Sequence, residues 1–151
     1  MMEQQLVTTR VPQDDEIPEP FLTTLLETAV LLSDMSAAGQ IAQLLEQGKG
    51  FLSGTENTSL SRHLGTASAL AGRMDNARDY YNQALEVCAK IGFRPEIALT
   101  RLGLAELMLE HYPDERATAI EHLDFAIAEF REMKMQPSLE RALSHRGLLK
   151  A

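Results

Sequence analysis

Tryptophan is absent from this chain of 151 residues, aromatic residues make up only 5% of it, and Cys88 is its one cysteine. A single cysteine cannot form a disulfide within the chain, which fits a reducing compartment. No positively charged start precedes an apolar stretch, and no apolar run approaches the roughly 20 residues that a membrane helix needs. We therefore expect a cytoplasmic protein with no membrane partner.

Basic residues are also scarce. The chain has 14 lysines and arginines against 22 acidic residues, a formal net charge of −8 at pH 7. Half of that charge lies in the first 20 residues, where five acidic residues accompany Arg10 alone. An acidic surface repels phosphate backbones, so we expect no direct nucleic-acid partner. Residues 1–16 show no apolar period and are predicted to form a flexible tail before a domain at 17–151.

What the chain does have is an internal repeat of 42 residues. The segment from Ala84 to Pro95 is matched by the segment from Ala126 to Pro137, and each proline stands 11 positions after its alanine. Further matched positions are Ala77 with Ala119, Tyr81 with Leu123, and Leu64-Gly65 with Leu102-Gly103. Self-similarity at such a period predicts stacked helical hairpins, in which no unit can bury its apolar face alone.

Apolar residues recur at spacings of three and four, with proline, glycine and acidic residues between the periodic segments. Leucine and alanine dominate the composition, which favours helices over sheets. The predicted helices cover residues 21–32, 35–47, 58–71, 75–91, 95–111, 113–134 and 137–149. The seventh has one apolar and one polar side, as the open end of a solenoid requires, so we predict that it is a cap.

Small residues on both sides of a bulky one indicate how the helices pair. Gly65, Ala77 and Ala84 around Tyr81 resemble the tetratricopeptide pattern, in which small side chains let two helices approach closely. The resemblance implies an all-α, right-handed solenoid of three helical hairpins plus a C-terminal capping helix. The second matched pair has four additional residues around 111–113, which predicts a longer turn there.

The segments 100–110 and 119–126 more specifically resemble the tetratricopeptide regions of LuxR-type regulators and of cyclase-like proteins with an attached ATPase. The resemblance implies a non-catalytic protein–protein interaction module, part of a bacterial signalling or transcriptional regulator. The alternative is a sensing domain that binds a small effector or a peptide in its concave groove. In those families the phosphate loop and the DNA-reading helices lie outside the repeats, so no catalytic or DNA-contacting residue carries over.

Candidate catalytic and metal-binding residues do not form a constellation. No two of the four histidines stand three or four residues apart, as a helical metal pair would. Cys88 lies on an inward stripe with no histidine within a turn, which predicts a packing thiol. We therefore expect no enzymatic activity, no metal and no cofactor. The partner is expected to be a protein or peptide. A homodimer is also expected, because the apolar fifth helix favours self-association whereas the polar seventh helix disfavours open-ended stacking.

In tetratricopeptide proteins the first helix of each pair lines the concave face. The resemblance therefore implies a partner-binding groove that begins near Ser59 and is formed by Arg62, His63, Thr66, Leu70, Ile97, Arg101, Leu104 and Met108. Arginine beside apolar surface suits a peptide carboxylate or acidic side chain. In the competing interpretation, both arginines pair with neighbouring acids of the chain such as Glu96 and Glu106.

The fifth predicted helix is apolar nearly all round and leaves only a narrow polar strip near Glu106 and Glu110. A helix of this kind is buried on more than one side. We expect it to lie centrally, in contact with the fourth, sixth and seventh helices. The alternative is that part of it forms an exposed apolar groove.

Overall fold

The computed structural model describes residues 19–47 and 60–150, and the side chains of residues 22–46 and 60–150. This part of the chain is helical and contains no strand, which confirms the predicted fold class. Its α-helices are α1 (Glu19–Leu31), α2 (Met35–Gln47), α3 (Leu60–Leu70), α4 (Met74–Ile91), α5 (Arg94–His111), α6 (Arg116–Glu132) and α7 (Gln136–Leu148). The tail predicted for residues 1–16, and Ser59, lie outside the described residues.

The helices form two layers. Each helix packs against the next one along the chain, and in addition Cα atoms of α1 and α3, of α3 and α5, and of α5 and α7 come within 8 Å of each other. Among the described residues, α2 and α4 make no such approach, nor do α4 and α6. The odd-numbered helices therefore lie closest together. We refer to the surface that they form as the inner face.

Small side chains at the helix crossings allow this close stacking. Ala77 and Ala84 of α4, and the matched Ala119 and Ala126 of α6, have no exposed surface. The apolar core continues from end to end in three adjoining clusters, the first between α1, α2 and α3, the second between α4, α5 and the start of α6, and the third between α5, α6 and α7. Cys88 is buried in α4, as predicted.

The central position predicted for the fifth helix is confirmed. α5 approaches α3, α4, α6 and α7. Its side chains are covered on most sides, which accounts for the weak contrast between apolar and polar positions in its sequence.

The ends of α4 and α6 repeat each other in detail. Gly92 and Lys134, which are 42 residues apart, both adopt left-handed backbone conformations, with φ of 67° and 58°. The next amide after each of them donates to a carbonyl five residues back, at 3.0 Å from Phe93 and 2.9 Å from Met135. This is the Schellman arrangement that ends a helix and reverses the chain. The sequence repeat is thus also a repeat of backbone geometry.

The turn predicted to be longer, between the fifth and sixth helices, contains a 3-10 turn, Pro113–Glu115, and is one residue longer than the turn between α3 and α4. The other three additional residues extend α5, which continues to His111. The Arg78 guanidinium of α4 donates to both carboxylate oxygens of Glu115, at 2.7 and 2.6 Å. The same guanidinium carbon lies 5.1 Å from the centroid of the Tyr112 ring. These contacts attach the turn before α6 to α4.

Candidate functional site: the inner cleft

All four odd-numbered helices border one cleft of about 300 Å³ on the inner face, which we call the inner cleft. It is lined by Leu26, Glu27, Val30 and Leu31 of α1, Arg62, His63 and Thr66 of α3, Tyr81 of α4, Leu99, Leu102 and Gly103 of α5, and Arg141 of α7. Residues from α1 to α7 thus meet at one place although they are far apart in the sequence.

The buried end of the inner cleft is the Tyr81 ring, which lies between two glycines. A Cβ atom added to Gly65 of α3 or to Gly103 of α5 would lie 2.8 Å from carbon atoms of this ring. Such a distance is shorter than any ordinary carbon–carbon contact, so both glycines are required for α3 and α5 to approach the ring. The Tyr81 hydroxyl is 3.2 Å from the Thr66 hydroxyl, and burial raises the pKa of Tyr81.

A buried ion pair joins α3 to α5 beside this ring. Arg62 donates from Nε and a terminal nitrogen to the two carboxylate oxygens of Glu96, at 2.8 and 3.0 Å. The Glu96 side chain is only 2% exposed and that of Arg62 is 15% exposed. Two-point pairing of a guanidinium with a carboxylate fixes both groups in one plane. Arg62 is therefore held across the inner cleft and does not extend freely into it.

His63 stands next to this pair and is also buried. A terminal nitrogen of Arg62 lies 3.3 Å from His63 Nε2. Because a guanidinium can only donate, this contact is a hydrogen bond only when the imidazole is neutral and accepts at Nε2. Burial and the adjacent Arg62 charge lower the pKa of His63 to about 3. His63 is therefore uncharged at neutral pH and serves as a polar but neutral wall of the inner cleft.

A second ion pair closes the other side of the inner cleft. The Arg141 guanidinium of α7 donates to both carboxylate oxygens of Glu106 in α5, from Nε at 2.6 Å and from a terminal nitrogen in a still shorter contact. His145 Nε2 lies 2.8 Å from the same carboxylate. Arg141 is 60% exposed, whereas Glu106 is 17% exposed. The cation of this pair is thus much more open to solvent than that of the Arg62 pair.

The structure brings three of the eight predicted groove residues together in the inner cleft, namely Arg62, His63 and Thr66. Leu70 packs against the core cluster between α1, α2 and α3. Ile97 is half-buried and does not border the inner cleft. The competing interpretation of Arg62 as the partner of Glu96 describes its contacts correctly.

The other three predicted groove residues require a correction. Leu104 and Met108 are buried in the core cluster with Ala77 and Ala119. Arg101 stacks over the Phe125 ring of α6, with its guanidinium carbon 4.1 Å from the ring centroid. These residues lie on the opposite side of α5 from the inner cleft, because α4 and α6 cover that side. The predicted pairing of Arg101 with Glu106 is replaced by the pair of Glu106 with Arg141.

The sequence contains a signal that identifies the inner side of α5. Gly103 must face the Tyr81 ring, so residues one turn away along the same side, Leu99 and Glu106, must face inward with it. Glu106 and Glu110 also form the one polar strip of this helix. On a helix buried nearly all round, the polar strip is the side that meets solvent, here the inner face.

Within residues 19–47 and 60–150, no three His, Cys, Asp or Glu side chains come together in a way that could hold a metal ion. In the same part of the chain, no helix has both the length and the apolar character needed to cross a membrane.

Comparison with known proteins identifies the repeat. Residues 55–128 match the tetratricopeptide repeat family. The match supports assignment of the chain to this family, and it covers α3, α4, α5 and most of α6. The structure continues the same two-layer stacking on both sides of the matched segment, through α1 and α2 before it and through α7 after it. Comparisons with curated proteins and with solved structures found no significant match to the chain.

Proposed function

We propose, from the match of residues 55–128 to the tetratricopeptide repeat, that this chain is a non-catalytic module that binds a protein segment in its inner cleft. Tetratricopeptide repeats generally mediate protein–protein interaction. The residues that form the proposed binding site are those that line the inner cleft, including Arg62, His63 and Thr66 of the groove predicted from the sequence.

The observation that carries the proposal is the composition of the inner cleft. Leu31 stands at its edge with 84% of its surface exposed, and Val30 and Leu99 line the wall. Guanidinium groups and a tyrosine hydroxyl lie beside these aliphatic side chains. Apolar surface next to fixed polar groups lets a partner bury an aliphatic side chain while its polar groups remain hydrogen-bonded.

The experiment is a pull-down from native cell extract with the purified chain as bait, followed by mass spectrometry. The variant Leu31→Asp places a charge on the apolar edge of the inner cleft. Because Leu31 is almost fully exposed, this change should leave the core and the fold intact. We expect the wild-type chain to retain a partner that Leu31→Asp loses.

Ile91→Asp is the matched control. Ile91 is the last residue of α4, as Leu31 is the last residue of α1, so both variants place the same charge at the end of a helix. Ile91 is 71% exposed and does not border the inner cleft. Retention of the partner by Ile91→Asp, with loss by Leu31→Asp, supports the proposal. Equal recovery by both variants would show that the partner binds elsewhere.

A second candidate function is the sensing of a small effector or peptide. The volume of the inner cleft, about 300 Å³, lies at the lower end of the range for small-molecule pockets. A metabolite screen by thermal melting would detect such a ligand as a rise in Tm. If no compound raises the Tm of the wild-type chain selectively over Leu31→Asp, sensing in the inner cleft is contradicted.

The wider context that we propose is a bacterial signalling or transcriptional regulator in the cytoplasm. The support is the resemblance of residues 100–110 and 119–126 to the repeat regions of such regulators. A phosphate-loop ATPase or a helix-turn-helix encoded next to this segment in the gene would agree with this context. The homodimer expected from the sequence also stays a proposal, which light scattering of the purified chain would test.

A further inference from the structure

The charges on the inner face indicate which kind of segment the inner cleft binds. Among the described residues, this face carries four glutamates and two arginines, namely Glu27, Glu96, Glu106 and Glu110 with Arg62 and Arg141. Glu110 belongs to this set because it follows Glu106 by four residues and shares its side of α5. The inner face therefore has an excess of negative charge.

Both arginines are already occupied by carboxylates of the chain itself. Arg62 pairs with Glu96 through two nitrogens, and Arg141 pairs in the same way with Glu106. A carboxylate from a partner would have to displace Glu96, which is almost fully buried, to take its place on Arg62. Glu96 would then lose its guanidinium while it remained buried, which is costly. Arg141 is more exposed, but a partner carboxylate there would lie next to the Glu106 carboxylate, which repels it.

Glu27 is the carboxylate that remains open at the inner cleft. Its side chain is 49% exposed and lies 4.0 Å from an Arg62 nitrogen that Glu96 already binds. Its other neighbour, at 3.5 Å, is the buried His63 ring, which is neutral at pH 7. Leu31 follows four residues later on the same side of α1. A cation and an aliphatic group that arrive together would thus meet Glu27 and Leu31 together.

We infer that the inner cleft binds a partner segment that carries a lysine or arginine next to an aliphatic side chain, and that it disfavours acidic segments and free C-terminal carboxylates. This inference rests on the proposed function and adds the chemistry of the partner. It reverses the expectation from the sequence, in which Arg62 and Arg101 hold an acidic group.

A screen of random linear peptides displayed on phage against the immobilised chain tests the inference. We expect the enriched peptides to combine lysine or arginine with leucine, isoleucine or valine. The affinity of such a peptide for Glu27→Lys should fall by about tenfold. Glu121→Lys, an exposed glutamate of α6 away from the inner cleft, makes the same change of net charge and should shift the affinity by no more than about twofold.

The outcomes separate the inference from the proposed function on which it rests. If acidic peptides are enriched, or if binding requires a free C-terminus, the inference is overturned. The inner cleft remains the site in that case, provided that Leu31→Asp abolishes binding of those peptides. Peptides that bind Leu31→Asp as tightly as the wild-type chain would overturn both. If no peptide is enriched although circular dichroism shows the chain to be folded, the inference and the proposed function are both overturned.

Discussion

α3 and α5 hold the same place in two successive helix pairs, yet they present different surfaces to the inner cleft. α3 contributes a guanidinium, an imidazole and a hydroxyl, from Arg62, His63 and Thr66. α5 contributes an aliphatic wall and Gly103. The number of neighbours does not explain the difference, because each of the two helices is approached by four others. The difference lies in the side chains, since the inward carboxylates of α5, Glu96 and Glu106, are taken up by Arg62 of α3 and Arg141 of α7. The inner helices thus share the chemistry of the cleft, because α3 and α7 supply the cations and α5 supplies the carboxylates that hold them.

The largest expected effect comes from Tyr81, the residue on which both helices pack. Tyr81→Ala should leave a cavity between Gly65 and Gly103 and cost about 3–5 kcal/mol of unfolding free energy. Urea denaturation measures this loss. The half-buried Tyr112, at the turn before α6, provides the control, and Tyr112→Ala should cost clearly less. Equal losses for the two variants would mean that the Tyr81 ring does not support both helices.

The next effect separates the two ion pairs of the inner cleft. Arg62→Ala would leave the Glu96 carboxylate, which is 2% exposed, without its guanidinium, and should cost about 2–4 kcal/mol. Arg141→Ala removes a cation that is mostly exposed and should cost less than about 1 kcal/mol. Thermal and urea denaturation of the two variants decide this. If Arg62→Ala proves as mild as Arg141→Ala, the Arg62 pair is not buried as described.

The approach of α3 and α5 to the Tyr81 ring can be tested from the glycine side. Gly65→Ala and Gly103→Ala each place a methyl group against the ring and should cost about 1–3 kcal/mol. Gly39→Ala is the matched control, because a Cβ at this position of α2 meets nothing within 4 Å. It should stabilise the chain by about 0.5–1 kcal/mol through better helix propensity. The same sign for all three variants in chemical denaturation would refute the close approach.

The smallest effect concerns the imidazole that only α3 brings to the inner cleft. The pKa of His63 is about 3 in the folded chain and 6.5 in the reference state, so the unfolded chain takes up a proton first as pH falls. The contribution of His63 to the free energy of unfolding is therefore fully present above pH 6.5 and is lost as the pH falls from 6.5 toward 3. Between pH 6.5 and about pH 5 the loss should be about 1–2 kcal/mol.

The variant His63→Gln isolates this contribution. Its stability curve should be flatter than that of the wild-type chain below pH 6.5, whereas the two curves should run parallel between about pH 7 and pH 8. The measurement is the free energy of urea unfolding at a series of pH values. Parallel curves over the whole range would show that His63 is protonated in the folded chain or is not buried.

Most of the fold could be predicted from the sequence because its signals are local. Helix ends follow from residues such as Gly92 and Pro95. The spacing from Gly103 to Ala119 predicts additional residues before α6, although three of the four extend α5 and only one lengthens the turn. The match of Ala84 with Ala126 predicts equivalent crossings, and both residues are fully buried. Periodicity and small residues act within a few turns of helix, so one chain suffices to interpret them.

Only part of the inner cleft could be predicted in the same way. α3 has a clear apolar and a clear polar side, and its inward residues Arg62 and His63 were identified correctly. α5 lacks such contrast, so its own pattern could not correct the expectation from the resemblance that Leu104 and Met108 face the groove, whereas both belong to the core. Glu27 and Arg141 lie on the first and the last helix. No local pattern in the sequence indicates that they border one cleft.

By itself the sequence determined an all-helical stack, its repeat and the close approach of helices at small residues such as Gly65. These properties depend on residues within one or two helices. The tertiary structure was needed to recognise the polar strip of α5 as its inward side, and it alone decided which carboxylate each arginine meets. The reason is that a helix covered on most sides has little contrast between apolar and polar sides, so its own pattern hardly fixes its rotation. Its orientation is therefore set by the helices packed on it and by the ring of Tyr81.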